Sequence, residues 1–144
     1  MDQITIYNTK MKSVTLNDPN NSGDYIRFTF EKSILEYHCK TTIELQNNNE
    51  IYISDKQSVH FNEILKIANW YKNMGNYSDV FPDLIIADLN LKFSNYYFEK
   101  GEGVYYLLYN TELGKVFKFH FWEQIGNSNT FIYDQFMQCL ESFK

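Results

Sequence analysis

The run Leu35-Glu36-Tyr37-His38-Cys39-Lys40-Thr41-Thr42-Ile43-Glu44-Leu45 decides the class of fold. Leu35, Tyr37, Cys39, Thr41, Ile43 and Leu45 hold one parity, and Glu36, His38, Lys40, Thr42 and Glu44 hold the other. Successive side chains of a strand point to opposite faces, so charge confined to one parity reads as a strand with one wet face and one core face. That reading puts Cys39 in the core. Gln46-Asn47-Asn48-Asn49 follows as a turn, because asparagine tolerates left-handed backbone angles. Ile51 and Ile53 return as a short hairpin partner. Upstream, Ile26, Phe28 and Phe30 alternate with Arg27, Thr29 and Glu31 in a second half-buried strand. The turn chemistry of Asn17-Asp18-Pro19-Asn20-Asn21-Ser22-Gly23-Asp24 marks a loop before it, and Val14 with Leu16 and Ile4 with Ile6 mark earlier strands.

The period then changes from two to about 3.6 residues. Ser54-Asp55-Lys56-Gln57 has the form of a capping box, and Phe61, Ile64, Leu65, Ala68 and Tyr71 recur at helical spacing, widened by Ile67 and Trp70. Gly75 stands where such a helix would stop. Alternation returns at Ile85, Ala87, Leu89, Leu91 and Phe93 against Asp88, Asn90 and Lys92. After a turn at Glu99-Lys100-Gly101-Glu102-Gly103, Val104 to Tyr109 is a strand apolar or aromatic on both faces. Thr111-Glu112-Leu113-Gly114 turns the chain into Phe117, Phe119 and Phe121, opposed by Lys118, His120 and Trp122. Asn127-Ser128-Asn129-Thr130 offers N-caps for a last helix with the stripe Ile132, Phe136, Cys139, Leu140 and Phe143. The prediction is an α+β fold, mainly antiparallel, with seven or eight strands in two blocks and two helices, ordered as four or five strands, helix, three strands, helix. No linker or repeat divides the chain, so residues 1–144 read as a single domain.

Composition narrows the function classes. Hydrophobic residues make up 44% of the 144, which is enough for a sizeable core, and no apolar run reaches the length of a membrane span. The start MDQITIYNTK lacks the basic and apolar regions of a secretory signal. Cys39 and Cys139 are too few for a disulfide scaffold and too far apart for a metal or redox pair, so both read as buried thiols of a cytoplasmic protein. A net charge of −5 argues against nucleic-acid binding through a basic surface.

Catalytic signatures are missing. His38, His60 and His120 show no metal-ligand spacing, so no metal or other cofactor is expected. His38 and Cys39 are adjacent in a strand and point apart, so the imidazole cannot activate the thiol. Asp83 and Asp88 flank an apolar run, but Asp88 shares its parity with Asn90 and Lys92 and reads as wet. Gly101 and Gly103 are flanked by acids that would repel a phosphate.

The second half stands out for its aromatics and acids. Residues 73–144 carry five lysines against nine aspartates and glutamates, while residues 1–72 are nearly balanced. Tyrosine and tryptophan are favoured interface anchors, and carboxylates around them steer a basic partner. Tyr96, Tyr97, Glu99, Glu102, Tyr105, Tyr109 and Trp122 are therefore the candidate partner-binding residues. The expectation is a non-enzymatic protein-binding module, most concretely an acidic inhibitor or immunity protein that neutralises a basic protein such as a bacterial toxin. The alternative is a small-ligand protein or enzyme with an aromatic-lined pocket between sheet and helix, drawing on Tyr37, Trp70, Tyr106 and Asp88.

Overall fold

The computed structural model describes residues 11–18, 21–73, 82–97, 104–121 and 126–144. Its strands are β1 Met11–Asn17, β2 Tyr25–Lys32, β3 His38–Asn47, β4 Glu50–Ile53, β5 Gln57–His60, β6 Leu84–Ile86, β7 Leu91–Tyr97, β8 Val104–Asn110 and β9 Lys115–Phe121. The helices are α1 Phe61–Asn73 and α2 Gly126–Glu141. Every pairing among the described residues is antiparallel. One sheet runs β1-β2-β3-β4 with β5 also on β3, and the other runs β6-β7-β8-β9. The class is α+β in two strand blocks separated by a helix, as the two periodicities predict. The expected strand at residues 4–7 and the turn at residues 99–103 lie outside the described residues.

The β2–β3 ladder follows the alternation. Ile26 faces Leu45, Phe28 faces Ile43 and Phe30 faces Thr41, all buried, while Arg27 faces Glu44 and Glu31 faces Lys40 on the other side. Asn48 and Asn49 both take positive φ, at 52° and 68°, and close β3 onto β4 in the mirror-image turn that suits strand twist.

Four local readings need correction. The capping box is not one: the edge strand continues as β5, and α1 begins at Phe61. Ser54 instead sits where the edge strand leaves β3. Its hydroxyl accepts from the Ile43 N–H at 2.8 Å, and its own N–H donates to the Ile43 carbonyl at 2.9 Å. The free donors at the start of α1 find other acceptors: Phe61 N–H donates to the Tyr37 carbonyl at 2.8 Å, and Asn62 N–H donates to His60 Nδ1 at 3.0 Å. Second, the Ile85–Phe93 run is a hairpin, not a strand. Ile86 and Leu89 are buried three residues apart, which requires a turn of 3₁₀ helix at Ala87–Leu89, and Asn90 reverses the chain at φ 55°. Third, β3 starts at His38, so Leu35 and Tyr37 are exposed in a turn. Fourth, α2 begins at Gly126, ahead of the four expected caps.

The two helices and both sheets share one core. Phe136 of α2 meets Phe28 at 5.3 Å and Phe30 at 6.0 Å, edge-on. Trp70 and Tyr71 of α1 meet Phe93 at 5.3 and 6.1 Å, and Tyr71 stacks on Phe136 at 6.4 Å. The expected stripe of α1 is buried at Phe61, Ile64, Ile67, Ala68, Trp70 and Tyr71, with Leu65 only half-buried at its margin.

Candidate partner-binding surface

The structure brings part of the predicted aromatic set into one ladder. Tyr96 and Tyr105 are register partners across β7 and β8, and Tyr97 pairs with Val104. Tyr109 stands between Lys92 and Val116 in the same sheet. It is 38% exposed and Val116 is 53% exposed, so an aromatic and an aliphatic side chain share open sheet surface there. Lys92 is drawn toward Asp83 at 3.5 Å. Glu99, Glu102 and Trp122 lie outside the described residues.

Beyond Tyr109 the chain enters a turn held by Asn110. The buried Asn110 side chain accepts from the Leu113 N–H at 2.8 Å, and its carbonyl accepts from the Gly114 N–H at 2.8 Å. The turn is tied to the β6–β7 tip, because Thr111 N–H donates to the Asn90 carbonyl at 2.9 Å and Asn90 Nδ2 donates to Glu112 at 3.0 Å. Facing both tips is the connection from β4 to β5. Together these three turns enclose a shallow depression of about 200 Å³ in which Asp55, Asp88 and Glu112 converge with Tyr52 and Leu113. No lysine or arginine among the described residues lines it. Asp55 and Asp88 are exposed and form no ion pair among the described residues. Nearby lysines are engaged elsewhere: Lys56 with Glu31, and Lys115 with Glu50.

Sequence reasoning missed this basin. Asp55 reads as a helix start, Asp88 as a strand's wet face and Glu112 as a turn residue, and each reading is local. Only the tertiary meeting of three turns makes them one feature.

On the outer face of the first sheet, Arg27 is occupied internally. Its Nε donates to Thr15 Oγ1 at 3.1 Å, Glu44 lies 3.5 Å from Nη1, and the guanidinium covers the Tyr25 ring at 4.8 Å. The Tyr25 hydroxyl donates to Glu44, and that bond raises the phenol above its ordinary pKa.

The residues weighed for catalysis take structural roles or stand apart. His38 and His60 are register partners with ring centroids 4.9 Å apart. His38 Nδ1 donates to the Glu36 carbonyl at 2.8 Å, whereas His60 Nδ1 serves the helix start as an acceptor. Among the described residues no group of three His, Cys, Asp or Glu side chains is arranged to hold a metal. Cys39 and Cys139 are free and buried, as expected. Tyr37, Trp70 and Asp88 do not share a pocket: Tyr37 is exposed beside α1, Asp88 lines the acidic depression, and Trp70 packs in the core and donates to the Pro82 carbonyl at 3.0 Å. No helix among the described residues is long and apolar enough to cross a membrane. Comparison with known proteins gives no family model, no curated relative and no solved structure that matches the chain.

Proposed function

We propose that the protein is a non-enzymatic binding module for a basic protein, acting as an inhibitor or immunity protein that neutralises its partner. The observation that carries this reading is an acid basin with exposed apolar side chains on the turn and strands that adjoin it. Asp55, Asp88 and Glu112 converge without a lining cation among the described residues, and Leu113, Tyr109 and Val116 present exposed apolar surface on the same turn and the strands it joins. A lysine or arginine from the partner fits the basin, and the apolar residues supply the area that drives association. Tyr96 and Tyr105, in register one strand apart, extend the aromatic sequence along the same sheet.

The test is capture from the native host, with the wild-type protein and an Asp88→Lys, Glu112→Lys variant run side by side. The expected result is a stoichiometric basic partner that the wild type holds and the variant loses, with retention falling as salt rises. Equal retention of that partner by the variant, or a partner without a basic surface, would overturn the reading. Tyr109→Ala is expected to weaken binding of the captured partner by about tenfold or more while leaving the melting transition nearly unchanged.

A further inference from the structure

The turn between β2 and β3 presents apolar side chains to solvent on a rigid base. Ile34 is 97% exposed, Leu35 53% and Tyr37 59%. Their backbone is fixed. Ser33 Oγ accepts from the Leu35 N–H at 3.1 Å and bonds Ser58 Oγ at 3.2 Å. His38 N–H donates to the Leu35 carbonyl at 3.2 Å, and the Tyr37 carbonyl accepts from the first residue of α1. Tyr37 is held at φ 61°, a costly conformation for an aromatic residue that persists only where the surroundings enforce it. Beside the turn lies a groove of about 490 Å³, floored by Phe61 and Phe143 and flanked by the turn itself.

We propose that this turn and groove form a self-association surface. Ile34 of one copy enters the groove of a second copy about a two-fold axis, and Lys32 of each copy meets Glu36 of the other. A two-fold interface needs one patch that is complementary to itself. Here the knob and the hole are side by side. The charges are also self-complementary: of the charged residues lining the groove Lys144 is paired with Glu141, which leaves Lys32 and Glu36, both exposed and neither in an ion pair among the described residues. A foreign partner would have to offer a cation and an anion around an apolar group, whereas a second copy supplies all three. Burial of the apolar side chains drives association, and the charges select its orientation. The described residues that line the groove are far fewer than the roughly 20–30 a side of a stable interface, so the dimer is weak and reversible.

Sedimentation equilibrium on the full chain, from roughly 10 µM to 1 mM, tests this over the range of weak association. The wild type shifts from monomer to dimer. Ile34→Asp, at a site too exposed to affect folding, raises the dissociation constant by about tenfold or more. Lys32→Glu and Glu36→Lys each raise it several-fold, as like charges then face each other. The double reversal Lys32→Glu, Glu36→Lys returns it to within about twofold of wild type, because the pairs are re-formed with their signs exchanged. A wild type that stays monomeric throughout, a dimer indifferent to Ile34→Asp, or a double reversal as weak as the single variants overturns the proposal. None of these variants touches the acid basin, so the outcome leaves the partner-binding reading to its own test.

Discussion

Cys39 is fully buried on β3 with its sulfur 3.6 Å from the Thr41 hydroxyl, and Cys139 enters the same core from α2. Burial pushes the Cys39 thiol up to about 11, with the Thr41 hydrogen bond pulling weakly the other way, and burial also raises Cys139. Thiolate is the reactive form, so both residues should label slowly with a thiol reagent in the native state at neutral pH. Rapid labelling without unfolding would show the burial to be transient. The stability consequence has a definite sign. A thiol whose pKa is higher in the folded state than in the unfolded chain adds stability that is complete below the unfolded value and disappears as pH rises through the folded one. For Cys39 that window runs from about pH 9 to about pH 11. Relative to a Cys39→Ala variant, the wild type should lose about 2–3 kcal/mol across it, read from urea midpoints at both ends. The alternating run at residues 39–45 made this burial legible in the sequence. The exposure of Leu35 and Tyr37 was not legible, because the same alternation continues through them while the backbone turns at Tyr37.

At the scale of elements, α1 shows what periodicity conveys and what it leaves out. Its stripe identified the docking face, and Ile64, fully buried at the centre, should cost about 2–5 kcal/mol on truncation to alanine. Leu65 lies at the margin, half-buried, so Leu65→Ala should cost less than about 1.5 kcal/mol. Equal losses in thermal or urea unfolding would mean that the helix is rotated from this placement. The start of α1 was misread because Ser54 and Gln57 satisfy a capping pattern equally well when they belong to a broken edge strand. Ser54→Ala separates the two roles. With the hydroxyl gone, the Ile43 N–H loses its acceptor, at a cost of about 1–3 kcal/mol. Amide exchange should then accelerate at Ile43 and stay unchanged in the first turn of α1; acceleration in α1 instead would restore the capping role. The β6–β7 hairpin escaped for a related reason: Leu89 and Leu91 keep the strand parity while Ile86 does not, and a 3₁₀ turn of three residues is too short to show a period.

Across the whole molecule, two strand blocks and two helices follow from the order of periodicities, but the way the sheets are joined does not. Beside the Tyr52–Phe117 ring contact and the Lys115–Glu50 ion pair between β4 and β9, the joint is made by Asn47, at the end of β3. Its Nδ2 donates to the Lys118 carbonyl of β9 at 2.7 Å and to Asp24 at 3.2 Å, and its Oδ1 faces the Lys118 N–H at 3.4 Å. The side-chain amide thus pairs with β9 as a strand's peptide group would, and links the first sheet to the second. Asp24 is itself buried and also accepts from the Asn48 N–H at 3.2 Å. In sequence, Asn47 is one asparagine of a turn-forming run, and nothing local distinguishes it from Asn48 and Asn49, which make the turn. Asn47→Leu keeps the volume but strips partners from the Lys118 carbonyl and the Asp24 carboxylate. The loss should be about 1–3 kcal/mol, since Asp24 keeps the Asn48 N–H and the Lys118 carbonyl lies on an exposed residue, so what is lost is a buried donor's hydrogen bonds and not two isolated polar groups. Unfolding should nevertheless remain a single transition, because Phe136 packs on the first sheet, Trp70 on the second, and Tyr71 of α1 spans the two groups. Asn47→Asp adds a second carboxylate beside Asp24. The pair repels when both are ionised, so the variant's deficit should be large at neutral pH and should shrink as the pH falls toward the carboxylate range. Denaturant curves at neutral and mildly acidic pH read both effects. A deficit for Asn47→Asp that does not change with pH, or two separated transitions for Asn47→Leu, would show that the sheets are held together by something other than this amide and the helices above it.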